Sequence, residues 1–505
     1  MSGEFMKARI RIFSVILLLC TLVGTLIYAH LGQSVFEDRS FFEKKKTTVR
    51  IWYTDDALTP YLQSRAVAYS ESSKKVRIEP VLVSGLEYLE NINKASLEDD
   101  NYPDLFIITN DSLEKAYLAG LALEIDNGAA YLNPEVFPAA AINSVTYKDK
   151  LIAYPFYFET SSLIYNKTYL DDMARENIAA EIDKANGEAA QEEVDASSES
   201  ASTTDTEASS EEVVDEEISQ EQIDQYVKDS IPHSIADILK FSLSYNVPDG
   251  VDSIFKWDVT DIFYNYFFVG NYMNVGGEAG DDVAQIDIYN TDTISCMKIY
   301  QLLNQFFAID ADDIDYNKVT DDFINGKIVF TVATTDILAK IQAAQASGDC
   351  KYEFAVAEIP ALSQKFSTRT MSVTQCIVVN GYSEHPSEAN SFAKYLLNDD
   401  SGDIYKLGGK VAAHSGVNYD DSNLDTFVKV YSNSVPMPKT IETSNLWMQL
   451  EIAFTDIWNG GDCNSILKEV SENIMTQVTG DAYTEETLPD PDDGSITEGL
   501  TEESD

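Results

Sequence analysis

Cysteine, histidine and positive charge are all scarce in this chain. Its 505 residues include five cysteines and four histidines, and 35 lysines and arginines face 85 aspartates and glutamates, a formal net charge of −50. So acidic a surface repels phosphate backbones, which excludes nucleic-acid binding. Beyond the N-terminal segment the cysteines are Cys296, Cys350, Cys376 and Cys463. No CxxC and no metal-ligand spacing occurs among them, and no metal or cofactor is expected. Four cysteines allow three disulfide pairings, and isolated buried thiols are the other reading. There is no nucleophile elbow. What remains for an enzyme is a carboxylate pair such as Glu159 with Asp111, acting as glycosidase acid and base; a non-catalytic protein is expected.

Apolar residues are present in plenty, at 44%, with 11% aromatic. That suffices for folded cores, and the length suits two or three domains or lobes. The start is basic, Met6-Lys7-Ala8-Arg9-Ile10-Arg11, and Ile12 to Ala29 is apolar apart from small hydroxyls. A basic flank before such a run means export or anchoring with the basic side in the cytoplasm. Cleavage after Ala29 would place Ile27 at a position that prefers a small residue. Leu17-Leu18-Leu19 before Cys20 does not suit a lipoprotein signal. The reading taken for 1–30 is an uncleaved signal anchor on the extracytoplasmic face of a bacterial plasma membrane; the alternative is a cleaved signal and a secreted chain.

Strands and helices then alternate. Strands are expected at Thr48 to Tyr53, Val76 to Val83 and Pro103 to Ile108, and helices at Thr59 to Ser70, Leu86 to Ala95 and Leu113 to Ala119. This implies a largely parallel sheet covered on both faces. Ligands of such sheets sit beyond the carboxyl ends of the strands, where Asp56 and Asp111 stand. Either could bind hydroxyls or simply cap a turn. Asp149 to Lys167 reads as a strand, a short polar turn and a second strand. Its centre, Glu159-Thr160-Ser161-Ser162, sets a carboxylate beside three hydroxyls, which suits a hydroxylated ligand.

From Leu170 to about Asp224 glutamate, aspartate, serine, threonine and alanine dominate, and Ser197 to Glu212 holds no large apolar residue. A disordered acidic insertion is expected over about 172–224. Ser234 is placed to cap a helix. Trp257 to Tyr272 is dense in aromatics, which serve either a core or sugar stacking. A tail from Asp481 to Asp505 is acidic and expected to be disordered.

Several segments resemble extracellular solute-binding proteins of the maltose-binding type. Asp149-Lys150-Leu151-Ile152-Ala153-Tyr154-Pro155, then Glu159, then Leu163-Ile164-Tyr165-Asn166-Lys167, resembles the segment by which that family crosses between lobes. Pro103-Asp104, Asp111, Tyr117, Gly120-Leu121 and Ile125 match a second family pattern. Val319 to Phe323 with Asn325-Gly326-Lys327 and Val329 to Val332, Phe354 to Pro360, Asn390 to Leu397 and Val435 to Pro438 are similar to later ones. The resemblance covers most of 48–480. It implies an α/β, two-lobed periplasmic-binding-protein-like fold of type II. Lobe 1 would take 47–157 and 372–432, and lobe 2 would take 158–371 and 433–480. It implies capture of a solute, carbohydrate in class, by lobe closure, with ABC-transporter permease subunits as partners and a monomeric state. It also implies ligand contacts at Asp56, Asp111, Glu159, Trp257, Asp258 and Trp447. Two departures argue against maltodextrin as the ligand. Thr334-Thr335-Asp336 stands where relatives place a stacking aromatic, and Ile108 stands where the maltose binder has tryptophan. A membrane-tethered sugar sensor, or a binder of a non-sugar solute, is the alternative function.

Overall fold

A computed structural model of the chain describes residues 46–98, 101–198 and 218–491, with backbone alone over 187–198. The expected membrane segment lies outside the described residues. Among those described, no helix is long and apolar enough to cross a membrane.

The first three strands follow the expected alternation. β1 (Thr47–Tyr53) lies between β2 (Val76–Leu82) and β3 (Leu105–Thr109), all parallel. Helices Thr59–Ser72 and Tyr88–Glu98 make the crossovers. Val49, Ile51 and Tyr53 alternate along β1 and are buried, the period-2 pattern of a strand. A small hairpin follows, β4 (Thr146–Tyr147) with β5 (Lys150–Leu151). Then come β6 (Tyr154–Asn166), β7 (Ser253–Phe255), β8 (Ile328–Thr334), β9 (Phe354–Ala357), β10 (Met371–Val379), β11 (Val411–Ala412) and β12 (Val435–Pro436). One ten-stranded sheet runs β2-β1-β3-β10-β6-β8-β7, with β9 and β11 beside β6 and β12 beside β10. It is parallel at its two ends and antiparallel around β6 and β10, except that the short β12 runs parallel to β10.

β6 corrects one expectation. The polar stretch Glu159 to Ser162 is not a turn but the middle of an unbroken 13-residue strand, about 40 Å long at ~3.3 Å per residue. Its first half pairs β10 and β11, and its second half pairs β8 and β9. Neighbouring strands satisfy most of the hydroxyls in between. Thr160 Oγ1 donates to Met371 O at 2.7 Å, and Ser162 Oγ donates to Ala357 O at 2.7 Å. Polar residues in a strand signal a turn only when nothing on the flanking strands can receive them.

Buried apolar side chains form two clusters. One gathers Tyr61, Phe106, Phe156, Phe158, Phe392 and Tyr431, and extends to Val319 and Ile337. Phe158 stacks flat on Tyr431, centroids 3.8 Å apart. The other gathers Leu163, Trp257, Phe268, Tyr300, Phe454 and Trp458. β6 therefore serves both cores. Ser234 caps helix Ile235–Ser244 as expected, in a reciprocal capping box with Asp237.

The acidic insertion and the tail are more ordered than composition suggested. Helix Lys167–Ser198 runs well into the insertion, and Ser219 caps helix Gln220–Ser230. Lys167 ties the two, 2.6 Å from Asp171 and 3.6 Å from Asp224, over buried Ala174, Ile223 and Val227. Alanine and glutamate are strong helix formers, so a segment poor in apolar residues still builds helix once one end is docked. Residues 199–217 lie outside the description. The tail is not free between Asp481 and Pro491. Leu488 N donates to Tyr289 Oη at 2.9 Å, Lys468 Nζ to Thr487 Oγ1 at 2.9 Å, and Lys298 Nζ to Pro491 O at 2.9 Å. A chain ending at Gly480 should therefore be less stable than one ending at Pro491 by about 1–3 kcal/mol, the net worth of a few such bonds less the ordering entropy. Side-by-side denaturant melts check this; equal midpoints would make the tail a passenger. Cys296, Cys350, Cys376 and Cys463 are all buried and free, which resolves the choice in favour of isolated thiols.

The segment after β12 is tied down from several elements. Asn110 Nδ2 donates to Met437 O at 2.7 Å, and Ile441 N donates to Glu114 Oε2 at 2.6 Å. Between them Lys439, 1% exposed, donates from Nζ to Asn143 O at 2.9 Å and to Ala279 O. Burial pulls its ammonium down from 10.5 to about 8, against the upward influence of Asp281 and Cys376. Between those values the unfolded chain holds the proton and the folded chain has lost it, so stability rises with pH across that window. Below pH 8 both states are protonated and the burial cost is constant. Relative to Lys439→Met, the native chain should gain about 1 kcal/mol from pH 7 to pH 9 in denaturant melts. Parallel behaviour of the two chains would contradict it. Buried tyrosines such as Tyr157 and Tyr316, pushed up from 10.0, oppose the trend only at higher pH.

Candidate functional site

The carboxyl ends of β1 and β8 and the middle of β6 carry one connected set of charged and aromatic side chains. Asp55 follows β1 and caps the turn at Asp56–Leu58 by accepting from Ala57 N. Lys410 Nζ lies 2.8 Å from Asp55 Oδ2 and 3.6 Å from Glu159 Oε1. Its side chain is 17% exposed and Glu159's is 38% exposed. The ammonium also lies 5.5 Å from the centre of the Tyr157 ring. Burial raises the Glu159 carboxyl above the usual carboxylate range. Lys410 works against this, and Asp336 and Asp55 add to it. For Lys410 burial works downward, but the two carboxylates outweigh it and the net shift is up. The result is a lysine held between two carboxylates beside a strand that serves both cores.

Beyond β8 the set continues. Asp336 Oδ1 accepts from Tyr316 Oη at 2.6 Å and from Thr334 Oγ1 at 2.5 Å. Tyr316 stacks on Tyr264. Burial, Asp261 and Asp336 together push the Tyr264 hydroxyl up, so Tyr264 links this corner to the next. There Asp258, Thr260, Asp261, Glu451, Ile452 and Thr455, with Asp456, line an open groove of about 480 Å³.

The residues expected from sequence are distributed as follows. Glu159 belongs to the lysine cluster. Asp56 is exposed beside it, and its neighbour Asp55 makes the ion pair. Asp111 is half-buried after β3, next to Ser112 Oγ at 3.4 Å. Asp258 lies in the groove, 4% exposed, and accepts from Thr260 N at 3.0 Å and Thr260 Oγ1 at 2.7 Å. Trp447 is half-buried, its ring 5.9 Å from that of Tyr266. Trp257 is different. It is 0% exposed, stacked at 4.5 Å on Phe255, edge-on to Trp458, with Nε1 donating to Asn265 Oδ1 at 2.8 Å. Both its faces and its one donor are used inside the second core, so it has nothing left to offer a ligand. Lys410, Asp55, Tyr316, Asp261 and Glu451 were not anticipated as site residues, Tyr264 was covered only as part of the aromatic stretch Trp257 to Tyr272, and Asp336 only as part of a departure from the family pattern. They come from separate parts of the chain, and only the position of Asp55 and Asp336 just after strands was a signal.

Among the described residues no group of histidine, cysteine, aspartate or glutamate is arranged to hold a metal ion. A family model described as bacterial extracellular solute-binding protein matches residues 65–406. The chain belongs to that family. As a bacterial extracellular solute-binding protein it is of the ABC-importer type, works outside the cytoplasm and is not an enzyme. Solved structures of the same fold include the extracellular solute-binding protein of Staphylococcus aureus in complex with maltose, 17% identical, TM-score 0.64, covering 86% of this chain and 99% of that one. Another is the maltose-binding periplasmic protein of Listeria monocytogenes with maltose, 18% identical, TM-score 0.62, covering 88% and 100%. The maltose-maltodextrin binding protein of Alicyclobacillus acidocaldarius is 14% identical, with TM-score 0.59. No curated protein matches the sequence. The solute-binding protein thus has the mixed α/β periplasmic-binding-protein-like fold of maltose-binding proteins.

Proposed function

We propose that this solute-binding protein captures a carbohydrate-class solute by closing two type II lobes about β6, β10 and β12, and passes it to the membrane subunits of an ABC importer. Lobe 1 is 47–157 with 372–432, lobe 2 is 158–371 with 433–480, and the N-terminal segment tethers the chain to the membrane. The observation that carries the reading is the Asp55–Lys410–Glu159 cluster, centred on a strand, β6, that runs through both cores. A solute lodged there would touch groups from both lobes, and its binding would favour their approach. In this reading Asp56, Asp111, Asp258 and Trp447 contact the solute, while Trp257 packs in the core behind its neighbour Asp258. Carboxylates suit sugars because each accepts two hydroxyl hydrogen bonds. The maltose and maltodextrin complexes of proteins sharing the fold support the solute class.

The test is genetic. A deletion strain should lose uptake of one labelled saccharide and regain it with the intact gene, but not with a Glu159→Ala copy. Intact uptake with lost induction of sugar genes would contradict the transport role and favour a sensor.

A further inference from the structure

Thr334-Thr335-Asp336 brings no aromatic ring to the end of β8, yet a ring stands beside it. Tyr316 comes from the start of helix Tyr316–Ile324, and Asp336 and Thr334 hold its hydroxyl at 2.6 and 3.0 Å. One ring face is covered by Tyr264, centroids 4.5 Å and planes 10° apart. The ammonium of Lys340 lies 4.6 Å from the ring centre, and with Tyr264 on one side it must take the opposite face. The same ammonium pairs with Asp336 Oδ2 at 2.8 Å. Lys340 and Asp336 are 39% and 36% exposed, and an ion pair this open to water contributes little. The corner is thus a carboxylate and an aromatic face occupied by an amine of the protein's own.

Two other observations point the same way. Ser161 pairs with Thr334 across the strands and lies two residues from Glu159, so the three side chains share one face of the sheet. Ser161 is fully buried and its hydroxyl has no partner within the protein. Such a group is costly unless something else meets it. In the adjoining groove Asp258, Asp261 and Glu451 pair with no lysine or arginine among the described residues. Burial first, and repulsion from Asp258, hold the Asp261 carboxyl above its usual range; burial and both aspartates do the same for Glu451.

We propose that this corner takes an amine-bearing solute whose ammonium displaces that of Lys340 from Asp336 and from the Tyr316 face. This deepens, and rests on, the reading of the chain as a sugar-class solute binder. A neutral hydroxyl in the same place would leave Asp336 without a counter-charge beside Glu159. An ammonium restores that charge, keeps the cation–π contact, and releases Lys340 to water.

The test is calorimetric titration of the full chain with the free-amine trisaccharide of glucosamine, its N-acetylated counterpart, maltotriose and spermidine. The inference predicts that the free-amine trisaccharide binds at least about tenfold more tightly than the two neutral sugars, one charge-assisted contact's worth. Asp336→Asn should weaken the free-amine sugar about tenfold or more, while Lys340→Met, which removes the resident amine, should tighten it about twofold. A merely structural Lys340 would lower the melting temperature without that tightening. Tighter binding of maltotriose, unchanged in Lys340→Met, would overturn the inference and leave the proposed function standing. Binding of spermidine alone would keep the amine and overturn the sugar. Silence toward all four by a folded chain would overturn both.

Discussion

Replacing Trp257 with alanine lowers the stability of the chain by about 3–5 kcal/mol, the usual cost of deleting a large aromatic from a packed core. The ring is 0% exposed, enclosed by Phe255, Phe268, Phe307 and Trp458. Truncation also strands Asn265 Oδ1, which now accepts the indole N–H. That second effect is common to Trp257→Phe and Trp257→Ala, and the lost volume alone separates them. Phenylalanine refills much of the volume but donates nothing, so it should recover only part of the loss. Denaturant unfolding of the three chains gives the order directly. Solute affinity, measured well below the unfolding transition, should change little in Trp257→Phe. A large loss of affinity with native stability would return Trp257 to the ligand.

Replacing Lys410 with methionine acts on binding instead. It leaves Asp55 and Glu159 facing each other with no cation between them. The Glu159 carboxyl, already raised by burial, loses its main opposing influence and rises further. Because a raised carboxyl is protonated at higher pH, solute affinity should fall off on acidification sooner than for an ordinary carboxylate. It should fall off sooner still in Lys410→Met. Near neutral pH the variant should bind about tenfold or more weakly, as expected for losing a charge-assisted contact in a half-buried site. Lys410→Arg should restore most of it. Affinity measured across pH for the three chains checks both the size and the direction. An unchanged profile would remove Lys410 from the site.

How much of this was legible beforehand depended on the range of the interactions. β1, β2 and β3 show in their own alternation, and Ser234 shows as a cap at the head of its helix, three residues before Asp237. β6 was found but broken in two, because the partners of Thr160 and Ser162 are Met371 and Ala357, some 200 residues away. Composition underrated the ends of the acidic insertion and the tail, since it measures apolar content and not docking. The lysine cluster is the clearest gap. Asp55, Glu159 and Lys410 meet only through the sheet, and no local pattern links them. Glu159 was visible because it sits within a long apolar strand. Lys410 follows two glycines on a polar stretch and carries no local mark.

The central claim is that a solute is held at Glu159, midway along a strand that serves both cores. The most direct measurement is calorimetric titration of the full chain and its Glu159→Gln variant against mono- and oligosaccharides, with amino acids and peptides as controls. Saturable one-site binding to one saccharide class, lost in the variant while its unfolding midpoint is kept, is the predicted result. Binding only to an amino acid or peptide control, or saccharide binding untouched by Glu159→Gln, would contradict it.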